Sequence, residues 1–168
     1  MAKIGHSTLS IRKVRIEDIG EVYKLLAANR PYVGLNSRYT YFLLARDFNS
    51  TCLVALDGCR IVAFSSGYVP PNRPDTFFSW EVVVDQEYRG NGLHKLLLLE
   101  QLRLTDAKYL EGTVNPSNRV SEKSFLDIAR LLDTGCSRSV LFSEADFGGD
   151  GHEAEVLLRV GPIGLVSL

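Results

Sequence analysis

The densest run of chemically useful residues lies where a strand-like segment gives way to a helical one, in Val82-Val83-Val84-Asp85-Gln86-Glu87-Tyr88-Arg89-Gly90-Asn91-Gly92-Leu93-His94. A β-branched apolar run stops at an acidic turn, crosses Arg-Gly-Asn-Gly and opens into a leucine-rich stretch. Glycines let successive backbone N–H groups point into one concavity, and the first turn of the helix adds its own unsatisfied donors, so a phosphate can be held without a lysine. The junction points to a ligand carrying a pyrophosphate; a glycine-rich connection without any ligand is the alternative. A P-loop would end in Gly-Lys-Ser/Thr, and a dinucleotide fingerprint would need three glycines early in a βαβ unit with an acidic residue further on; neither is present.

Such a junction works only if strands and helices hold it, and the hydrophobic spacing supplies both. Leu9 to Val14 reads as a first strand, and Ile19, Val22, Tyr23 and Leu26 recur at helical spacing behind Glu17 and Asp18, whose charge suits a helix start. Residues 29–35, with Pro31 and Gly34, break the chain, and Ser37 can cap a second helix through Tyr41 to Asp47. Thr51 to Leu56 and Arg60 to Tyr68 flank Asp57-Gly58 as a hairpin. A stiff loop from Pro70 to Asp75 precedes a strand over Thr76 to Val84, and the junction leads into a helix over Leu93 to Leu104. Tyr109 to Val114 is a strand, Asn115 to Asn118 a helix-entry turn, and Phe125, Ile128, Ala129 and Leu132 mark the last helix. Val140 to Ser143 and Glu153 to Val160 close the chain as strands, with a glycine-rich loop over Phe147 to His152 between them. Strands outnumber helices without strict alternation and no repeat is visible, so the fold class is α+β with a mixed sheet.

The 168 residues, 45% hydrophobic and 23% charged, suit one domain spanning 1–168, with 1–8 expected to be flexible. A formal charge of -1, with no basic block, excludes nucleic-acid binding and polybasic membrane attachment. Cys52, Cys59 and Cys136 are odd in number and lie in no C-x-x-C spacing. They argue against a disulfide framework or a zinc site and are expected to be small buried apolar residues in a reducing compartment. No signal-peptide core or membrane span is apparent, so a cytoplasmic location is expected.

The element order, with Arg89-Gly90-Asn91-Gly92-Leu93-His94 opening the helix after the fourth strand, resembles the GCN5-related N-acetyltransferase superfamily. Its pyrophosphate loop reads Arg/Gln-x-x-Gly-x-Gly/Ala; Arg89 and Gly92 match, and His94 stands at the last small position. The resemblance implies a mixed, mostly antiparallel central sheet flanked by helices, with acetyl-CoA as co-substrate and no metal. It also implies the pyrophosphate on the backbone N–H groups of Arg89, Gly90, Asn91, Gly92, Leu93 and His94, the pantetheine arm beside Val82 and Val84, and Asn118 facing the CoA arm. A narrower likeness lies outside the loop. Asn36-Ser37-Arg38-Tyr39-Thr40-Tyr41, Trp80-x-Val82, Leu110-Glu111-x-Thr113-Val114-x-Pro116-x-Asn118 and Gly151-His152-Glu153-x-Glu155-x-Leu157-x-Arg159 look like the diaminobutyrate acetyltransferases of ectoine biosynthesis. That likeness implies a small diamino acid as partner, acetylated on its side-chain amine by direct transfer. A homodimer is suggested by the same likeness and by the apolar tail from Ile163 to Leu168. Members of that family usually carry Leu-Asp at Val33-Gly34, Gln at Glu81 and Thr at Gly112 and Asn115, so altered acceptor specificity is the second expectation. A non-catalytic CoA-binding module is the third.

Acetyl transfer to an amine needs a neutral nitrogen, whereas an aliphatic ammonium has a pKa of about 10, so a base or water chain must take its proton. Carboxylates also hold the ammonium. Glu155, Glu153, Glu81 and Glu111 are the candidates, with Glu153 and Glu111 read first as solvated strand surface. Glu155 and His152 are the expected catalytic residues, following the family's His-Glu-x-Glu segment. Three residues apart, they would face opposite ways on a regular strand and can share a pocket only through a bulge or a loop entry. Trp80 can wall the pocket by cation–π contact. With Glu81, Asn36, Tyr39, Thr113 and Glu155 it makes up the expected acceptor site; Tyr41 reads as either core or pocket. Phe125 stands where many superfamily members place a tyrosine acid. His94 is expected on the helix surface and His6 in a disordered terminus.

Overall fold

Alternation along the strands decides which helix each sheet face receives. The computed structural model describes residues 9–31, 33–149 and 151–164; the segment 1–8 with His6, and the last four residues of the apolar tail, lie outside them. Residues up to Tyr68 together with Glu81–Leu104 form one unit, and Val69–Trp80 with the residues from Thr105 onward form another.

In the first unit, β1 (Ser10–Lys13), β2 (Leu53–Asp57), β3 (Arg60–Tyr68) and the end of β4 (Thr76–Val84) stand in that order, with β1–β2 and β2–β3 antiparallel. Cys52, Val54, Phe64 and Val83 project to one face and meet Val22, Leu26, Tyr41 and Leu44 of α1 (Ile19–Ala28) and α2 (Arg38–Asp47). Leu53, Ala55, Ala63, Val82 and Val84 project to the other and meet Leu93 and Leu97 of α3 (Leu93–Thr105). Each large side chain so buried contributes about 1.5–3 kcal/mol. The Ser37 hydroxyl caps α2 by accepting from Thr40 N–H, and ahead of α1 Asp18 binds both the Arg15 N–H and, through both oxygens, the Arg12 guanidinium of β1. The hairpin closes one residue later than expected. Asp57 pairs with Arg60, so the two turn residues are Gly58, at φ +59, and Cys59.

In the second unit the order is β4, β5 (Tyr109–Val114), β7 (Glu155–Val160), β6 (Cys136–Phe142), with α4 (Arg119–Leu131) lying against β7 and β6. The β5–β7 and β7–β6 pairs are antiparallel, and β4–β5 is parallel over Thr76–Phe78. The architecture is therefore mixed α+β, a mostly antiparallel sheet flanked by helices. β6 begins at Cys136 rather than Val140, because its polar Ser137-Arg138-Ser139 start carries no apolar alternation and the ladder to β7 alone makes it a strand. β7 begins at Glu155, leaving His152 and Glu153 in the loop before it.

Glu111 is not strand surface. β5 has a neighbour on each side, and the Glu111 side chain is 1% exposed, paired with Arg73 Nη1 at 2.5 Å and with Arg159, whose guanidinium lies over the Tyr109 ring. Both carboxylate oxygens are taken, which removes it from the proton-transfer candidates. The cysteine expectation holds for Cys52, buried with its thiol pushed up to about 11 by burial; Cys59 is exposed at the hairpin tip. Cys136 is half-buried, and all three are free thiols.

Candidate active site

The glycine junction is anchored at both ends before any ligand arrives. Arg60 of β3 reaches Asp85 at 2.7 Å and Glu87 at 2.9 Å, and the Tyr88 hydroxyl donates to Asp57 at 2.6 Å, which fixes the turn after β4 to the hairpin. Arg89 turns its guanidinium inward, donating from Nε to the Val84 carbonyl at 3.1 Å and from Nη2 to Asn29 at the end of α1. Its side chain therefore shapes the loop. Asn91 leans back toward the Tyr88 and Arg89 carbonyls. Gly90 and Gly92 take φ of +80 and +74, the left-handed region that glycine adopts without penalty, and a Cβ at either would project into open space. The first bond of the α3 ladder runs from Leu96 N–H to the Gly92 carbonyl, so the amides ahead of it emerge at the positive end of the helix dipole. This arrangement fits a pyrophosphate. Leu93 is buried, and His94, expected on the surface, is half-buried with its pKa lowered by burial.

Val82 and Val84 put their side chains into the core beside α3, leaving the β4 main chain for a ligand. Among the described residues the β4–β5 ladder stops at the Phe78–Glu111 pair, while β4 runs on to Val84.

Two groups of polar side chains could recognise an acceptor. In the first unit the Tyr41 hydroxyl accepts from the Asn36 N–H at 3.2 Å and donates to Glu81 Oε2 at 3.1 Å. Burial pushes the Glu81 carboxyl up to about 7, against the opposing pull of the Tyr41 hydrogen bond. Tyr39, on the first turn of α2, is 70% exposed, and Gly34 faces open space. The sequence placed Asn36 and Glu81 near the acceptor and left Tyr41 as either core or pocket; its ring is buried in the core while its hydroxyl joins the other two.

In the second unit His152 and Glu155 come together because His152 lies in the loop ahead of β7, where strand alternation does not apply. His152 Nε2 stands 3.9 Å from Glu155 Oε1, which also accepts from Asn115 Nδ2 at 3.1 Å. His152 Nδ1 is 2.6 Å from the Glu153 carbonyl, an acceptor only, so Nδ1 carries its hydrogen and Nε2 is the basic atom. The ring is stacked on Phe147, with centroids 4.0 Å apart. Glu153 instead holds the entry to α4, accepting from the Ser117 N–H at 3.0 Å and its hydroxyl at 2.5 Å. Asn118 caps that helix by accepting from Ser121 N–H at 3.1 Å, which commits one lone pair of its oxygen to the fold. Thr113 is half-buried on β5, and Trp80 is 45% exposed at the end of this unit's stretch of β4. Phe125 is buried against Gly112, where a Cβ would lie 2.5 Å from its ring. Glycine at 112, a departure from the resembled family, is thus required by the phenylalanine. Among the described residues no cluster of His, Cys, Asp and Glu could hold a metal ion.

With its phosphate-fitting junction and mixed sheet, the chain belongs to the acetyltransferase (GNAT) family, whose sequence model matches residues 19–125. It is an acetyl-CoA-dependent acetyltransferase. Within that class it is similar to the L-2,4-diaminobutyric acid acetyltransferases of Halalkalibacterium halodurans, at 38% identity over 94% of this chain and 84% of that one, and of Virgibacillus pantothenticus, at 42% over 77% and 83%. Among solved structures it is similar to the diaminobutyrate acetyltransferase EctA of Paenibacillus lautus, in complex with its substrate L-2,4-diaminobutyric acid and coenzyme A. The TM-score is 0.86 at 31% identity, covering 95% of this chain and 98% of that one.

Proposed function

We propose that this enzyme acetylates the side-chain amine of L-2,4-diaminobutyrate by direct transfer from acetyl-CoA. The observation that carries the reading is the likeness to the Paenibacillus enzyme, which holds that substrate, over 95% of this chain. Glu155, oriented by Asn115, receives the acceptor's ammonium, and His152 Nε2 takes its proton. The freed nitrogen lone pair attacks the thioester carbonyl carbon, the C–S bond breaks, and CoA leaves as the thiolate. The backbone amides of residues 89–94 hold the pyrophosphate, so binding energy far from the reacting carbon fixes its position. Phe125 has no proton to give, so the thiolate leaves unprotonated or takes its proton from water. Trp80 walls the aliphatic chain of the acceptor, Asn36, Tyr39 and Thr113 line its site, and Glu81 binds an ammonium.

Glu81 and Gly34 favour a second reading on the same chemistry: preference for a diamino acid of different length, recognised by the carboxylate at 81 instead of one near 34. The test is an acceptor panel with acetyl-CoA, read by free thiol release, comparing diaminobutyrate with its shorter and longer homologues for wild type, Gly34→Asp, Glu81→Gln and the double variant. Diaminobutyrate as best substrate, unimproved by the double variant, supports the first reading. A longer or shorter homologue as best substrate supports the second, and no thiol release with any amine would reduce the protein to a CoA-binding module.

A further inference from the structure

We infer that Tyr41 is a positioning residue for acceptor recognition: held at its hydroxyl by the Asn36 N–H, it commits one oxygen of Glu81 and leaves the other to receive an ammonium. The inference rests on the reading above that Glu81 faces the acceptor. The Tyr41 ring is fully buried and meets Tyr23 and Phe64 edge-on, with centroids 6.0 and 6.2 Å away, so it cannot swing from its place. An N–H can only donate, so the Asn36 amide, 3.2 Å from the phenol oxygen, fills that oxygen's acceptor role. The phenol's own hydrogen is thereby directed to Glu81 Oε2 at 3.1 Å. Burial and the neighbouring carboxylate push the Tyr41 hydroxyl up to about 12, so it remains a donor at any working pH.

A donor fixed in this way favours the carboxylate over the neutral acid, and therefore sets the pH at which Glu81 attracts a cation. Among the described residues of its unit, these groups stand around Glu81. Tyr41 faces it from α2, and behind Tyr41 stands Tyr23 of α1, whose ring carries the Arg38 guanidinium 4.6 Å from its centroid. From β3, the Ser66 hydroxyl reaches the Glu81 main-chain carbonyl rather than the carboxyl. The Glu81 ionisation thus depends on burial, which raises its pKa, and on Tyr41, which lowers it. Acceptor affinity should rise as pH passes through about 7, and removing the phenol hydroxyl should move that rise upward.

The experiment measures diaminobutyrate affinity by calorimetry on the full chain with CoA present, alongside kcat and both KM values, from pH 6 to 9. Wild type, Tyr41→Phe and Glu81→Gln are compared. Tyr41→Phe should shift the rise by about one pH unit, so that the acceptor KM at pH 7 increases roughly three- to tenfold but at pH 9 stays within about twofold. Its kcat and acetyl-CoA KM should stay near wild type throughout, a split that general loss of structure would not give. Glu81→Gln should lack the step, and a step that persists there unchanged would overturn the assignment of the pH dependence to Glu81. If Tyr41→Phe does not fold, 3-fluorotyrosine at 41 keeps the size, donates more strongly and should move the step to lower pH. An acceptor KM unchanged by Glu81→Gln at pH 8 would remove Glu81 from the acceptor site and the reading beneath with it. A weakened Glu81→Gln beside a Tyr41 variant whose pH curve overlies wild type would overturn the role of Tyr41 alone.

Discussion

Replacing Glu81 by Gln should make this protein more stable at alkaline pH and no more stable at acid pH. The carboxyl is held up from an ordinary 4.5 to about 7, chiefly by burial. Because its folded pKa lies above its unfolded one, the folded state binds the extra proton, and stability falls as pH rises through that window. The penalty is absent below about 4.5 and complete above about 7. At about 1.4 kcal/mol per pH unit the full displacement is worth roughly 3 kcal/mol, and contact with solvent at this half-buried site reduces it to about 1.5–3 kcal/mol. Glutamine keeps a carbonyl to accept from Tyr41 but has no charge to desolvate. Melting temperatures of the full chain, measured calorimetrically from pH 4 to 8 at constant ionic strength, should coincide for the two proteins at pH 4. At pH 8 the variant should melt higher by about 3–12 °C, given roughly 2–4 °C per kcal/mol for a chain of this size. Titration of other carboxylates moves both curves equally, so the difference isolates this one. Parallel curves would mean that Glu81 ionises normally in the folded protein, and that its burial carries no electrostatic cost.

The same strategy of paired variants separates local strain from function elsewhere. Gly92→Val and Gly58→Val both force a side chain into the left-handed region at positions with open space. Both should lower the melting temperature to a similar degree, but only Gly92→Val should raise the acetyl-CoA KM, by at least about tenfold; equal KM values would remove the junction from the cofactor site. Glu155→Gln should lose most activity at neutral pH while acetyl-CoA affinity stays within about threefold, and wild-type turnover would return Glu155 to an ordinary strand residue. Gly112→Ala should destabilise by about 1–3 kcal/mol, since its Cβ would lie 2.5 Å from Phe125 Cζ, and Phe125→Leu should recover part of the loss in thermal melting. No recovery would place the strain on the Ser79 carbonyl, 3.0 Å away.

The local chemistry of this chain was legible in its sequence. Strand pattern marked β4 and β5 to the residue, Ser37 and Asn118 announced their helices, and the Arg-Gly-Asn-Gly junction announced the turn into α3, because each depends on neighbours within a few positions. Reach across the chain was not legible. Glu111 and Glu155 both sit on apolar strands, and only the His-Glu-x-Glu segment shared with the resembled family sets Glu155 apart in the sequence. One is sealed between two arginines on an interior strand, and the other begins a strand beside a loop histidine. Tyr41 and Glu81 lie forty positions apart, and their hydrogen bond exists because α2 lays its core face on the β4 face that carries Glu81. Periodicity encodes which way a side chain points, but what it meets there is set by which elements tertiary packing brings against it. Ionisation and hydrogen bonding depend on that meeting, so the fold decided which carboxylates are buried, paired or left to act.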